Sequence, residues 1–321
     1  MNMAIKINEY VELMGVIAYL GNNGLCKNMS PYIEDIDKWF LPYKKHSIIR
    51  KVKALIQRNT DINIWISLGF FLKYQKHTFV LPKDITGSWP VIQKSKILEL
   101  LTNFYESTQF HSFFKKHKAF YDEICRDYQK FYQPLNFDWF RNFYGFDRAD
   151  DFLITPLPVL EGFCCHSRFV MCDKKDILYQ LIYECHYAFM SSLSDISAKK
   201  QSALEPSAQA LFEISAWAMK QQGYDDWQAM IREYLVRAAT NVYMQENGFT
   251  KQEIRQDIIA NFSRGFYIMP ELVGYFNKYR YCRDRFKTFS DFYSEIVNFF
   301  ANHTQREVKR IDEIANTILE V

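Results

Sequence analysis

Apolar positions in the first half of the chain recur every three to four residues, the spacing of a helix buried on one face. The first such segment follows Asn8, a residue type that caps helix starts, and ends at Gly21. A second begins at Ser30-Pro31 and extends through Trp39, with proline in its favoured first position. The same spacing predicts further helices over 48–56, 62–72 and 91–131.

The pattern changes near residue 150. Residues 151–158 and 162–171 are short apolar runs bounded by turn-forming residues, which predicts strands. Pro156 and Pro158 favour an edge or irregular position for the first of them, because proline cannot donate to a sheet ladder. A strongly apolar helix is predicted over 174–193.

The segments between these elements complete the outline. Residues 76–90 contain two prolines and one glycine and predict a loop, and 194–207 is the best candidate for a linker. Helices resume afterwards, and the residues from Thr250 to Glu253 form a capping box. The sequence therefore predicts an α+β fold, predominantly α-helical, with a small β element before the helix 174–193. The chain is expected to form two parts, residues 1–148 and residues 149–321, or one continuous domain.

Composition narrows the function classes. Hydrophobic residues make up 48% and charged residues 24%, as in ordinary globular proteins, and a formal charge of +3 predicts no nucleic-acid partner. No segment approaches 18 apolar residues, so no transmembrane segment is predicted. The N-terminus has no apolar run of signal-peptide length, which predicts a cytoplasmic protein unless a leader has been removed.

The cysteines offer one possible site. Seven cysteines at irregular spacing do not indicate a disulfide framework. Cys164, Cys165, His166, Cys172 and Cys185 could form a thiol-rich metal site, but their spacing matches no recognised zinc pattern. Burial as small core residues is the favoured interpretation.

Glu184 is the most informative residue of the predicted helix 174–193. Tyr183 and Tyr187 are four positions apart, so they share one helix face with Glu184 beside it. A carboxylate among apolar residues is almost never buried without a partner. Two interpretations are open, a satisfied glutamate in an aromatic core and a functional carboxylate.

The segment from Leu181 to Asp195 resembles the active-site helix of an uncharacterised bacterial family of zincin-like, gluzincin-type metallopeptidases. That family has roughly Leu-Ile-His-Glu-Phe-x-His-Ser-Phe at this place. Weaker likenesses cover most of the chain, at Ile5–Asn8 with Glu12-Leu13, Pro31-Tyr32, Trp39-Phe40, His46, Asn103–Tyr105, Phe113-Phe114, Tyr144-Gly145 and Thr155–Leu157. The resemblance implies a zincin-like core, with zinc held by two histidines of this helix and a glutamate of a later one.

The chain departs from the family motif at the metal ligands. The resemblance gives Glu184 the general-base position and Glu233 the third-ligand position, but Tyr183 and Tyr187 replace the histidines. A phenol, with a pKa of about 10, is a poor zinc ligand near neutral pH. His186 lies off their shared face, so we expect it to be a core or surface residue.

These residues predict a pseudo-peptidase that keeps a metallopeptidase-like cleft, needs no cofactor, and binds a peptide or protein partner. The alternatives are an active hydrolase with an altered ligand set, with Glu184 as base and zinc as cofactor, and a purely structural helical protein. We expect Glu184 and Glu233 to lie on neighbouring helices. A tyrosine hydroxyl or an arginine such as Arg237 would then offset their charges.

Overall fold

The computed structural model describes residues 3–22, 30–57, 62–82, 94–147, 152–165, 168–193 and 198–319. The protein is an α+β protein and predominantly helical, as predicted. It divides into two compact units, residues 1–134 with 150–180 and residues 135–149 with 181–321. This division differs from the predicted boundary near residue 148, because the strands after residue 150 pack with the N-terminal helices.

The first unit is built mainly of helices. They are α1 (Glu9–Gly21), α2 (Pro31–Phe40), α3 (Ser47–Gln57), α4 (Ile62–Ser67), α5 (Lys94–Ser107), α6 (Phe110–Lys116) and α7 (Lys118–Tyr132). The Asn8 side chain caps α1 and the Ser30 hydroxyl caps α2, as the sequence predicts. Helix α1 is buried almost throughout and packs against α3 and α4. It is therefore the central element of this unit.

A short hairpin, β2 (Lys73–Gln75) and β3 (Thr78–Val80), lies where a loop over 76–90 was predicted. That prediction is wrong for 78–80, and 83–90 lie outside the described residues. Phe79 is buried and contacts the ring of Tyr105 edge-on, with centroids 5.2 Å apart. Lys76 and His77 form the turn with φ of 49° and 59°. They are not the glycine or asparagine that signals such a turn in a sequence.

The main sheet contains β1 (Met3–Ile5), β4 (Phe152–Leu157), β5 (Gly162–Cys165) and β6 (Arg168–Met171) in the order β1-β4-β5-β6. Strand β1 is parallel to β4 and the other pairs are antiparallel. The predicted strands are thus present, but β4 is not at an edge. Strand β1 pairs with Phe152 to Ile154, so Pro156 lies beyond the paired residues of β1, where the ladder does not need its backbone N–H.

The second unit is helical in the described residues. Its helices are α8 (Phe137–Tyr144), α9 (Ile177–Ser191, from Leu181 onward), α10 (Ala198–Gln221), α11 (Trp227–Glu246), α12 (Lys251–Ser263), α13 (Met269–Tyr281) and α14 (Phe289–Leu319). Helix α11 packs against α10, α12 and α13, and nearly every side chain from Met230 to Met244 is buried. The predicted capping box at Thr250 and Glu253 is confirmed.

The linker predicted over 194–207 is wrong for residues 198–207, which belong to α10, and 194–197 lie outside the described residues. Alanine and lysine are good helix formers, and they outweigh Pro206 within this helix. Among the helices described, none is long and apolar enough to cross a membrane.

Candidate functional site

Helices α9 and α11 bring together two of the residues predicted from the sequence. Tyr183 of α9 is 7% exposed and Glu233 of α11 is 4% exposed. The hydroxyl of Tyr183 donates a hydrogen bond to Oε2 of Glu233. The two positions that the resemblance assigns to a first and a third metal ligand are therefore in direct contact on adjacent helices.

Arg237 completes this contact from one turn further along α11. Its Nη2 lies 3.2 Å from Oε2 of Glu233, the oxygen that Tyr183 also binds. The guanidinium lies 5.5 Å from the ring centroid of Tyr183 and 4.8 Å from that of Phe266. Planar guanidinium groups favour both a carboxylate and aromatic faces, so Arg237 is well matched to this position. Tyr183, Glu233 and Arg237 are called the Tyr-Glu-Arg network below.

Further polar groups fix the orientation of Arg237. Its Nη1 donates to Oδ1 of Asn261 at 2.8 Å, and its Nη2 donates to the hydroxyl of Tyr224 at 3.3 Å. Asn261 in turn donates to Oδ2 of Asp257 at 2.8 Å. The guanidinium is therefore held from several sides, and movement away from Glu233 would break several hydrogen bonds at once.

The phenol of Tyr183 is protonated in this environment. Burial, and then the nearby charge of Glu233, raise the pKa of Tyr183 well above its ordinary value of 10.0. A neutral phenol donates a hydrogen bond to a carboxylate but is a weak ligand for a cation. Tyr183 therefore acts here as a hydrogen-bond donor.

Tyr187, at the position that the resemblance assigns to a second metal ligand, has a different partner. Its side chain is only partly buried, and its hydroxyl accepts a hydrogen bond from Nη1 of Arg232 at 3.1 Å. The guanidinium of Arg232 lies 5.8 Å from the ring centroid of Tyr187. Tyr183 and Tyr187 of α9 thus each contact an arginine of α11.

Glu184 and His186 are both buried. Glu184, the predicted general base, is 2% exposed. His186 is fully buried, and its Nδ1 forms a 2.8 Å hydrogen bond with the hydroxyl of Tyr144. Burial lowers the pKa of His186 well below 6.5, so the imidazole is neutral. Of the two positions expected for His186, the core position is the one observed.

Zinc does not fit the side chains of this site. The carboxylate that would be the third ligand is already bound by a phenol hydroxyl and a guanidinium, and that guanidinium would repel a second cation. Neither of the two would-be imidazole positions offers a nitrogen. Within the part of the chain that is described, no group of three or more His, Cys, Asp or Glu side chains could hold a metal ion. His166 of the thiol-rich candidate lies outside those residues.

The first unit also contains a buried carboxylate. Glu12 of α1 is fully buried, and its Oε1 accepts a 2.5 Å hydrogen bond from the hydroxyl of Tyr32. That hydroxyl is also 2.8 Å from the hydroxyl of Tyr121. Burial raises the pKa of Glu12 to about 8, although the hydrogen bond from Tyr32 acts in the opposite direction. No local spacing indicates this cluster, because its members come from three separate helices.

Comparison with known protein families gives one match. Residues 146–299 match the family model of a domain of unknown function, DUF4932. The matched range covers just under half of the chain and includes Tyr183, Glu184, Tyr187 and Glu233. Comparisons with curated proteins and with solved structures gave no match.

Proposed function

We propose that the protein is a pseudo-peptidase, a zincin-like protein that holds no catalytic zinc and acts by binding a peptide or protein partner. The Tyr-Glu-Arg network is the observation that carries the proposal. The resemblance of the segment around Glu184 to a gluzincin helix supports the zincin-like ancestry. The network supports the loss of the metal.

The charge balance of the network supports this proposal. A zinc site of the gluzincin type combines a carboxylate, two neutral imidazoles and a cation. Here Arg237 supplies the positive charge beside Glu233, at 3.2 Å, and Tyr183 supplies a proton donor. Zinc bound to Glu233 would lie beside the guanidinium of Arg237 and compete with it for the carboxylate. Separating a buried ion pair costs about 3–5 kcal/mol, which acts against metal binding.

The retained carboxylate at position 184 supports descent from an enzyme. Glu184 occupies the position that the resemblance assigns to the general base, and it is buried. A general base for peptide hydrolysis must reach a water that is activated for attack. If no metal binds beside Glu184, as proposed, no metal-activated water is supplied to it, and we assign Glu184 a structural role.

Metal content and peptide turnover test the proposal together. The protein, purified without a histidine tag, should contain far less than one zinc per chain by elemental analysis. Incubated with a mixture of unmodified peptides and added zinc, it should leave every peptide intact by mass spectrometry. The same assay on Glu184→Gln is the matched control, since an active enzyme would lose its turnover in that variant.

Two results would contradict the proposal. One is stoichiometric zinc that resists mild chelation, which would favour the hydrolase with an altered ligand set. The other is peptide cleavage that Glu184→Gln abolishes. A protein that neither cleaves nor binds any peptide or protein would favour the purely structural alternative.

A further inference from the structure

A groove in the first unit is large enough to bind a ligand. It is about 410 Å³ in volume and lies between α7, the end of β4 and the start of α9. Ligand sites are commonly 300–1,000 Å³ and mainly apolar. Its apolar lining includes Phe120 and Ile124 of α7, Leu157 and Pro158 at the end of β4, and Ile177 of α9. We call this the α7 groove.

The polar groups inside the α7 groove already have partners. The hydroxyl of Tyr128 donates to the carbonyl oxygen of Gly162 at 3.2 Å. The hydroxyl of Ser30 accepts from the backbone N–H of Ile33 at 3.2 Å. A polar ligand group placed here would lose its hydrogen bonds to water and gain few in return. The interior of the groove therefore favours an apolar group.

The rim of the groove is negatively charged. Glu161 and Asp173 lie there, against the single ammonium of Lys174. Neither carboxylate forms an ion pair with another described residue. The thiol of Cys172, also at the rim, supports this sign of charge. Its pKa is raised to about 12, first by burial and then by the nearby carboxylates of Asp176 and Asp173.

We propose that the α7 groove binds a peptide segment in which a bulky apolar side chain stands next to a lysine or an arginine. The apolar side chain fills the interior, and the cation lies between Glu161 and Asp173. Asp173 and Lys174 are exposed, so the mouth is open and a chain can continue past it. The choice of a peptide rests on the proposed function, whereas the apolar and cationic parts rest on the groove alone.

Three matched peptides test this ligand chemistry on the full-length protein. Each is acetylated and amidated, with the sequence Gly-Gly-X-Z-Gly-Gly, where X-Z is Phe-Arg, Phe-Glu or Gly-Arg. By isothermal titration, Phe-Arg should bind at least tenfold more tightly than either of the others. Equal binding of Phe-Arg and Phe-Glu would overturn the charge argument. Equal binding of Phe-Arg and Gly-Arg would overturn the apolar one, and no binding of any peptide would overturn the proposal.

Charge-neutral variants locate the binding. The double change Glu161→Gln and Asp173→Asn should weaken Phe-Arg binding several-fold, as expected for two partly exposed charges. It should leave Phe-Glu no weaker. Glu123→Gln makes one similar change on the exposed face of α7, outside the groove, and should have no effect. Equal losses in the double variant and in Glu123→Gln would place the binding elsewhere.

Protection of a thiol gives a measurement that needs no variant. Cys172 lines the α7 groove, whereas Cys282 belongs to the second unit, and both are partly exposed. Saturating Phe-Arg peptide should slow the alkylation of Cys172 at least threefold and leave Cys282 unchanged, measured by mass spectrometry at pH 9. Unprotected Cys172 at saturation would overturn the proposal. The zinc content is measured separately, so failure of the groove and failure of the pseudo-peptidase proposal give different results.

Discussion

Tyr183 and Arg237 bind the same atom, Oε2 of Glu233, from two neighbouring helices. One contributes a neutral hydroxyl donor and the other a full positive charge, so the carboxylate is satisfied although it is buried. This shared atom connects α9 to α11, the central helix of the second unit. It also accounts for the presence of a glutamate in an interior where an unpaired charge would be costly.

The ion pair between Glu233 and Arg237 should be strongly coupled. Arg237→Met leaves the buried carboxylate with one donor fewer and should lower the free energy of unfolding by about 3–5 kcal/mol. Glu233→Gln combined with Arg237→Met should cost less than Arg237→Met alone, because no uncompensated charge remains. Urea denaturation of the wild type, both single variants and the double variant measures this coupling.

The matched control for this cycle is Arg232→Met, five residues before Arg237 on the same helix. Arg232 is exposed and contacts Tyr187, so its loss should cost no more than about 1 kcal/mol. Equal losses for the two arginine variants would contradict a special role for the Tyr-Glu-Arg network.

Replacing Tyr183 and Tyr187 by histidine should not by itself create zinc binding. Tyr183→His with Tyr187→His supplies two imidazoles, but Arg237 still neutralises Glu233 and repels the metal. Adding Arg237→Met removes this cation, and Glu233 then becomes available as the third ligand. We expect the melting temperature of the triple variant to rise with zinc, and that of the double variant to stay constant.

The two variants are compared in the presence of zinc and of a chelator, with magnesium as the metal control. Zinc stabilisation of the double variant would show that Arg237 does not exclude the metal. A triple variant that folds but whose melting temperature does not rise with zinc would show that α9 and α11 do not place the three ligands as a zincin does. That second result would remove the main support for descent from a metallopeptidase.

Local signals in the sequence predicted much of the fold. Asn8, Ser30 and Thr250 cap helices through hydrogen bonds to residues two or three positions away. The identities of neighbouring residues were therefore sufficient to predict where these helices begin. The hairpin at Lys76-His77 was not predicted, because its turn uses residue types that rarely take positive φ. The interior position of β4 was not predicted either, because its neighbour β1 comes from almost 150 residues earlier in the chain.

Some contacts of the candidate site could likewise be predicted from the sequence, and others could not. Arg237 could be expected beside Glu233 because residues four apart share a helix face. The resemblance to a gluzincin led us to expect Glu233 on a helix next to α9, with its charge offset by a tyrosine hydroxyl or an arginine, and Tyr183 is the tyrosine that binds it. The hydrogen bonds of Tyr224 and Asn261 with Arg237 could not be predicted. Both residues lie outside α11, and their spacing from Arg237 in the sequence matches no known pattern.

Glu12 should make the first unit less stable as the pH rises. Its pKa is about 8 in the folded protein, against 4.5 as its ordinary value, so folding favours the protonated form. Its contribution to stability is therefore complete below pH 4.5 and is lost progressively up to about pH 8. The loss should amount to a few kcal/mol, at most about 5.

Glu12→Gln keeps an acceptor for the hydroxyl of Tyr32 and removes the charge. The variant should be more stable than the wild type at pH 8 and lose this advantage at pH 5. Denaturant unfolding at the two pH values measures the difference, and Glu123→Gln, on the exposed surface of α7, serves as control. An equal pH dependence in the wild type and Glu12→Gln would mean that Glu12 is ionised in the folded protein.

His186 should make the second unit sensitive to acid, the opposite of Glu12. Its pKa is far below 6.5 in the folded protein because of burial, so only the unfolded chain takes up the proton. The stability that depends on its neutral form is present above pH 6.5 and is lost as the pH falls below that value. Its neighbours make protonation costly, since the rings of Phe140 and Trp139 pack against the imidazole.

Hydrogen exchange followed by mass spectrometry separates the two effects in the intact chain. Between pH 7 and pH 5, after correction for the intrinsic exchange rate, peptides from α8 and the second half of α9 should lose protection. Peptides from α1 should gain protection, because Glu12 is more readily protonated at the lower pH.

His186→Gln retains a hydrogen-bonding partner for Tyr144 without a titrating nitrogen, so the acid sensitivity of α8 and α9 should disappear. His77 is exposed, so the control variant His77→Gln should show the same acid sensitivity of α8 and α9 as the wild type. Loss of protection in α1 before α8, or an unchanged acid response in His186→Gln, would show that another group governs the acid stability of the second unit.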